Sequence, residues 1–117
     1  MRLAALVGVA LSLALAMPAV AAAPPARVQV TAQEFAFTLS RSSIKSGKVI
    51  IELVNFGEDP HDFRLKRIGG TRTYAIRVVQ PGDAVDLETT LRAGKFQLWC
   101  SIADHRARGM RATLVVR

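Results

Sequence analysis

Short runs of alternating apolar and polar residues, cut at regular intervals by glycine and proline, constrain this chain more than any other feature. Phe35, Phe37 and Leu39 alternate with Glu34, Ala36 and Thr38, and "KVIIELVN" is apolar and β-branched after a polar start. His61, Phe63 and Leu65 alternate with Asp62, Arg64 and Lys66; Val85, Leu87 and Thr89 alternate with Asp86 and Glu88 after Pro81-Gly82. Phe96, Leu98 and Cys100 alternate with Lys95, Gln97 and Trp99 after Gly94, and "RATLVVR" closes the chain. A period of two suits half-buried strands, and breaks at Gly57, Gly69-Gly70, Pro81-Gly82 and Gly94 supply the turns. The pattern predicts an all-β, antiparallel sandwich. "GGTRTYAIRVV" reads as loop plus strand, no segment carries a well-capped helix, and no internal repeat is present.

The first residues follow a different rule. Met1 and Arg2 precede the apolar run Leu3 to Ala16, and no further charge occurs before Arg27. Ala19 and Ala21, or Ala21 and Ala23, supply the small residues of a secretory cleavage site. An uncleaved anchor is the alternative, since the uncharged stretch is just long enough to span; Pro18 and the alanine-rich end argue against it. With no cysteine near the cleavage region, a lipoprotein is excluded. A signal peptide over residues 1–23 and one domain over residues 24–117 are expected, with export to the periplasm or the cell exterior and no stable membrane insertion after cleavage. A chain of that size builds one modest core.

Loss of Arg2 with the leader takes the formal charge from +7 to +6, still strongly basic. Such a balance suits nucleic acid, an anionic membrane or an acidic protein. Export, few aromatics and the lack of a binding motif exclude nucleic acid. The single cysteine, Cys100, cannot form an internal staple, so it is an intermolecular link, an inert buried thiol or a ligand.

Alternation then bears on chemistry. Cys100 shares a face with Phe96 and Leu98, and His61 shares one with Phe63 and Leu65, so both point to the core from strand ends. His105 and Met110 follow on the next loop. Each alone has a plainer reading: a buried thiol, a strand-end histidine, a core-filling methionine. Together one thiolate, two imidazoles and one thioether are the ligand set of a blue-copper electron-transfer centre. Zinc is the competing metal, but it gains little from a thioether.

"NFGEDPHDF", "QPGDAVDL" and "GKFQLWCSIADHRARGM" resemble the small blue-copper proteins of the cupredoxin family. There a strand ends in Asn, a short loop brings Pro-His, and a Gly-x-Phe strand leads to Cys, His and Met. The resemblance covers Phe35 to Val116 and implies a Greek-key antiparallel β-sandwich of seven to eight strands. It also implies one copper ion with His61, Cys100 and His105 as equatorial ligands and Met110 as the weak axial one. The activity implied is one-electron transfer with no substrate transformed. Cu(II) in this ligand set carries a net +1 and Cu(I) carries zero, so a dry pocket and a thioether both raise the reduction potential. His105 is the expected exit for the electron. Asp62 and Ser101 occupy positions that hydrogen-bond each other in the family, and Asn55 is placed to bond the loop near "GEDP".

Two features depart from the family pattern. Asp104 precedes the second histidine where relatives often have Gly or Pro, and Arg106 and Arg108 make the loop polar. Arg106, Arg108, Arg111 and Arg64 are expected to ring the exit and steer a redox protein with an acidic docking face. A monomer is expected. A copper carrier that delivers the ion, and an accessory sandwich without metal, remain as alternatives.

Overall fold

The computed structural model describes residue 4 and residues 8–117. Residues 1–3 and 5–7, part of the expected leader, lie outside the described residues. Residues 8–25 carry no strand or helix, and among the described residues no helix is long and apolar enough to cross a membrane. Among the described residues, regular structure begins at Ala26.

Nine strands follow: β1 (Ala26–Gln33), β2 (Ala36–Leu39), β3 (Ser43–Ile44), β4 (Gly47–Asn55), β5 (His61–Arg67), β6 (Thr73–Val79), β7 (Ala84–Leu91), β8 (Gly94–Trp99) and β9 (Arg111–Val116). A single helical turn, α1 (His105–Arg108), lies between β8 and β9. The strands form a four-stranded sheet, β2-β1-β4-β7, and a five-stranded sheet, β3-β9-β8-β5-β6. Period-two alternation aims one face of β1, β4, β8 and β9 inward. Val28, Val30, Ile51 and Leu53 from the first sheet meet Phe63, Leu65, Phe96, Leu98 and Leu114 from the second in one buried core. Each such side chain, fully withdrawn from water, contributes about 1.5–3 kcal/mol before entropy is counted.

The sandwich is as expected, but it differs in two details. Pairing is mixed: β1 runs parallel to β4, and β3 runs parallel to β9, while the other pairs are antiparallel. After β2 the chain crosses to the second sheet as the two-residue β3, then returns as β4 on the far side of β1, which sets the two strands in the same direction. The count is nine rather than seven to eight, because β3 and β1 add to the runs read from sequence. Val28, Val30 and Ala32 of β1 are buried between Arg27, Gln29 and Thr31, the same alternation that marks the other strands. "GGTRTYAIRVV" divides into a turn and β6, as expected.

Candidate metal centre

Four elements meet at one end of the sandwich. β5 opens on His61, β8 ends one residue before Cys100, α1 opens on His105, and β9 begins one residue after Met110. Phe63 and Leu65 fix the inward face of β5, Phe96 and Leu98 that of β8, and His61 and Cys100 are carried inward with them.

Where a loop was expected between Cys100 and Met110, the chain makes one helical turn. The His105 N–H donates to the Ile102 carbonyl at 3.0 Å and the Arg108 N–H to the Asp104 carbonyl at 3.0 Å. Asp104, a residue type favoured at the N-cap, stands there but makes no side-chain cap bond, so the signal the sequence offers goes unused. Gly109, at φ 128°, ends the turn; a Cβ there would lie 2.7 Å from the Phe35 carbonyl oxygen, so only glycine admits this close approach of the β1–β2 turn. The Met110 N–H donates to the His105 carbonyl at 3.0 Å, and the Cys100 N–H donates to the Met110 carbonyl at 3.1 Å. The main chain of Met110 thereby ties Cys100 and His105 together, and its side chain is fully buried.

His61, Cys100 and His105 converge. Their donor atoms all lie within 4.8 Å of one another, with His61 Nδ1 3.3 Å from His105 Nδ1 and Cys100 Sγ 3.6 Å from His105 Nδ1. The spacing can be tested against a single ion. With metal–nitrogen bonds of about 2.0 Å and a metal–sulfur bond of about 2.3 Å, ligand angles between 109° and 120° separate two nitrogens by about 3.3–3.5 Å and nitrogen from sulfur by about 3.5–3.7 Å. Two of the three separations, 3.3 and 3.6 Å, fall in those windows, and the third, between His61 and Cys100, is within 4.8 Å. Two imidazole nitrogens and one sulfur fit one soft or borderline transition-metal ion.

Burial sets the protonation of the sulfur. Desolvation pushes the Cys100 thiol above its ordinary value, so without a cation it keeps its proton. His61, Cys100 and Met110 have no exposed surface, whereas His105 is 8% exposed, the one member of the set with an edge toward solvent. The Phe35 ring packs against His105, with centroids 5.0 Å apart.

The neighbouring residues hold the ligand segments. Asp62 Oδ1 accepts the Ser101 backbone N–H at 2.6 Å, and Oδ2 accepts the Ser101 hydroxyl. Asn55, fully buried, donates through Nδ2 to the carbonyls of Asp59 at 2.8 Å and Val79 at 2.9 Å, and its Oδ1 accepts the Gly57 N–H at 2.8 Å. One contact has no counterpart in the sequence reading: Glu34 Oε1 lies 3.0 Å from His61 Nε2 and also accepts the N–H groups of Glu58 and Asp59. The Asp59 N–H, foremost among these donors, lowers the Glu34 carboxyl to about 2, against a smaller opposing effect of desolvation. Glu34 is separated from His61 by the whole of β2 to β4, so no local spacing signals it.

The four arginines divide. The Arg106 guanidinium lies 4.5 Å above the Trp99 ring and that of Arg108 lies 3.8 Å above Phe35, the ring that flanks His105. Arg111 donates to the Arg106 carbonyl at 3.3 Å, and Arg64 lies 3.5 Å from Asp62 Oδ2.

No protein-family model matches the chain, and no curated protein matches it. Solved structures do. Auracyanin A, a "blue" copper protein from the green thermophilic photosynthetic bacterium Chloroflexus aurantiacus, is 16% identical with a TM-score of 0.65, over 80% of this chain and 100% of that one. Dithionite-reduced auracyanin from Roseiflexus castenholzii is 14% identical with a TM-score of 0.64, over 78% of this chain and 96% of that one. A purple cupredoxin from Nitrosopumilus maritimus is 16% identical with a TM-score of 0.57, over 76% and 98%. At these identities the likeness is one of architecture, and this chain has the cupredoxin fold.

Proposed function

We propose that this chain is an exported one-electron carrier with one type 1 copper ion, which His61, Cys100 and His105 would hold with Met110 as a weak fourth ligand. The convergence of two imidazole nitrogens and a thiol sulfur within 4.8 Å, in a fold shared with blue-copper proteins, carries the reading. Copper supplies reversible exchange of a single electron between Cu(II) and Cu(I) when bound in such a set. The protein's part is to hold the donors still and dry. Cys100, His105 and Met110 belong to one hydrogen-bonded segment, and His61 is fixed to it through the bonds of Asp62 to Ser101. A cage that barely rearranges between oxidation states keeps the barrier to electron transfer low, and burial of three donors keeps water off the ion.

The exposed edge of His105 supports its role as the electron's exit. Arg106 and Arg108, stacked on rings beside the ligand segment, support docking of an acidic redox partner; a groove lined by Lys66, Arg67, Trp99 and Arg106 extends the basic surface along β5 and β8. In this reading residues 1–23 are removed on export, residues 24–117 act as a monomer in the periplasm or outside the cell, and neither nucleic acid nor a membrane is a partner. Addition of copper to the purified domain tests the proposal. A stable, intensely coloured and reversibly reducible centre is expected. A colourless, labile complex would indicate an ion carrier, and no binding would indicate an accessory sandwich.

A further inference from the structure

Given that copper is held at this site, we propose that Glu34 is a positioning residue for it. Its carboxylate fixes the tautomer and aim of His61 and favours the oxidised ion. The geometry begins at the back of the imidazole. His61 is fully buried, its Nε2 is 3.0 Å from Glu34 Oε1, and its Nδ1 faces His105 and Cys100. An ionised carboxylate can only accept, so Nε2 carries the hydrogen and Nδ1 presents a bare lone pair to the cluster. Deprotonated Nδ1 is the form a metal requires, and it is selected before any metal arrives.

The carboxylate is itself anchored. The same Oε1 accepts the Asp59 N–H at 2.7 Å and the Glu58 N–H at 2.9 Å, so the loop that delivers His61 holds the group that orients it. Space for this is kept by Gly57, where a Cβ would collide with Oε1. A side chain used only to tie the loop would have its needs met by those two N–H groups. The third bond, to a buried ligand nitrogen, adds what a loop tie does not require. A negative charge behind the ligand stabilises a +1 site over a neutral one, and an imidazole that donates to a carboxylate is a stronger electron donor. Both effects bind Cu(II) more tightly than Cu(I).

The test compares Glu34→Gln and Glu34→Ala with the wild-type chain. Gln keeps an oxygen for the three N–H groups but removes the charge. In the metal-free proteins, nitrogen NMR of the His61 ring is expected to show the Nε2–H tautomer in wild type and Glu34→Gln, and a growing Nδ1–H population in Glu34→Ala. In Glu34→Gln, Cu(II) affinity is expected to fall roughly 10–100-fold, Cu(I) affinity to fall less, and the reduction potential to rise. A loop tie alone leaves the potential unmoved. Wild-type His61 in the Nδ1–H form would overturn the orienting role, and equal potentials in wild type and Glu34→Gln would overturn the electrostatic one. A wild-type chain that takes up no copper would instead refute the copper centre itself, while the ring-nitrogen signals still report whether Glu34 holds His61.

Discussion

Replacement of Asp62 by Ala should unfasten the two segments that carry His61 and Cys100. β5 and β8 pair in register from Arg67↔Phe96 to Arg64↔Trp99, and there the ladder stops. Two residues on, in the same register, Asp62 stands opposite Ser101 and accepts its N–H at 2.6 Å and its hydroxyl. A side chain thus takes over where the strands part to form the site. Asp62 is 4% exposed. A hydrogen bond to a charged acceptor contributes about 1.5–3 kcal/mol, and Ser101 is exposed enough for water to replace some of the loss. The low end applies to each bond, giving about 3 kcal/mol, roughly 150-fold in the folding equilibrium. The Arg64 pair, a third exposed on the arginine side, adds little. Urea unfolding of the metal-free domain measures the loss, and a melting temperature lower by about 12–24 °C should accompany it. Ser101→Ala, which removes only the hydroxyl bond, should lose about 1.5 kcal/mol. The double variant should lose less than the sum. Copper affinity should fall roughly 10–100-fold in Asp62→Ala. Unfolding within about 0.5 kcal/mol of wild type, with unchanged copper affinity, would refute the clamp.

Met110→Gln should keep copper bound but lower its potential, because an oxygen donor stabilises Cu(II) better than a thioether does; an unchanged potential would leave Met110 as core filling alone. Burial raises the Cys100 thiol, so at neutral pH metal uptake must release its proton. Copper affinity should therefore rise about tenfold per pH unit across the neutral range and fall as the medium becomes acidic, and a flat profile would remove the thiolate from the ligand set. Electron exchange with a negatively charged redox partner should slow as salt rises, and less so after Arg106→Ala and Arg108→Ala. Identical salt dependence in the variants would move the docking surface elsewhere.

Much of this site is legible from periodicity because His61 opens a strand and Cys100 directly follows one. The alternation that buries Phe63 and Leu65 also buries His61, and the same holds for Phe96, Leu98 and Cys100. Alternation is local, and it is silent on which strands pair. The parallel partnership of β1 with β4 depends on a crossover through the two-residue β3, too short to show a period. The turn at α1 is hidden for another reason. It has no side-chain cap, and Ala103 before it takes a left-handed φ of 44°, where sequence would favour glycine or asparagine. Glu34 reaches His61 across 27 residues, through a bond that depends on tertiary packing alone. Asn55 and the Asp62–Ser101 pair lie between these cases: their positions follow from the strand ends, while their partners follow from the fold.

In the proposed function one copper ion is held by one thiolate sulfur and two imidazole nitrogens. X-ray absorption at the copper edge of the loaded chain reads those neighbours directly. One short sulfur and two nitrogens are expected around the ion in the wild type, with the short sulfur lost in Cys100→Ser while the domain stays folded. A first shell of nitrogen and oxygen alone in the wild type, or a short sulfur that survives in Cys100→Ser, would contradict it.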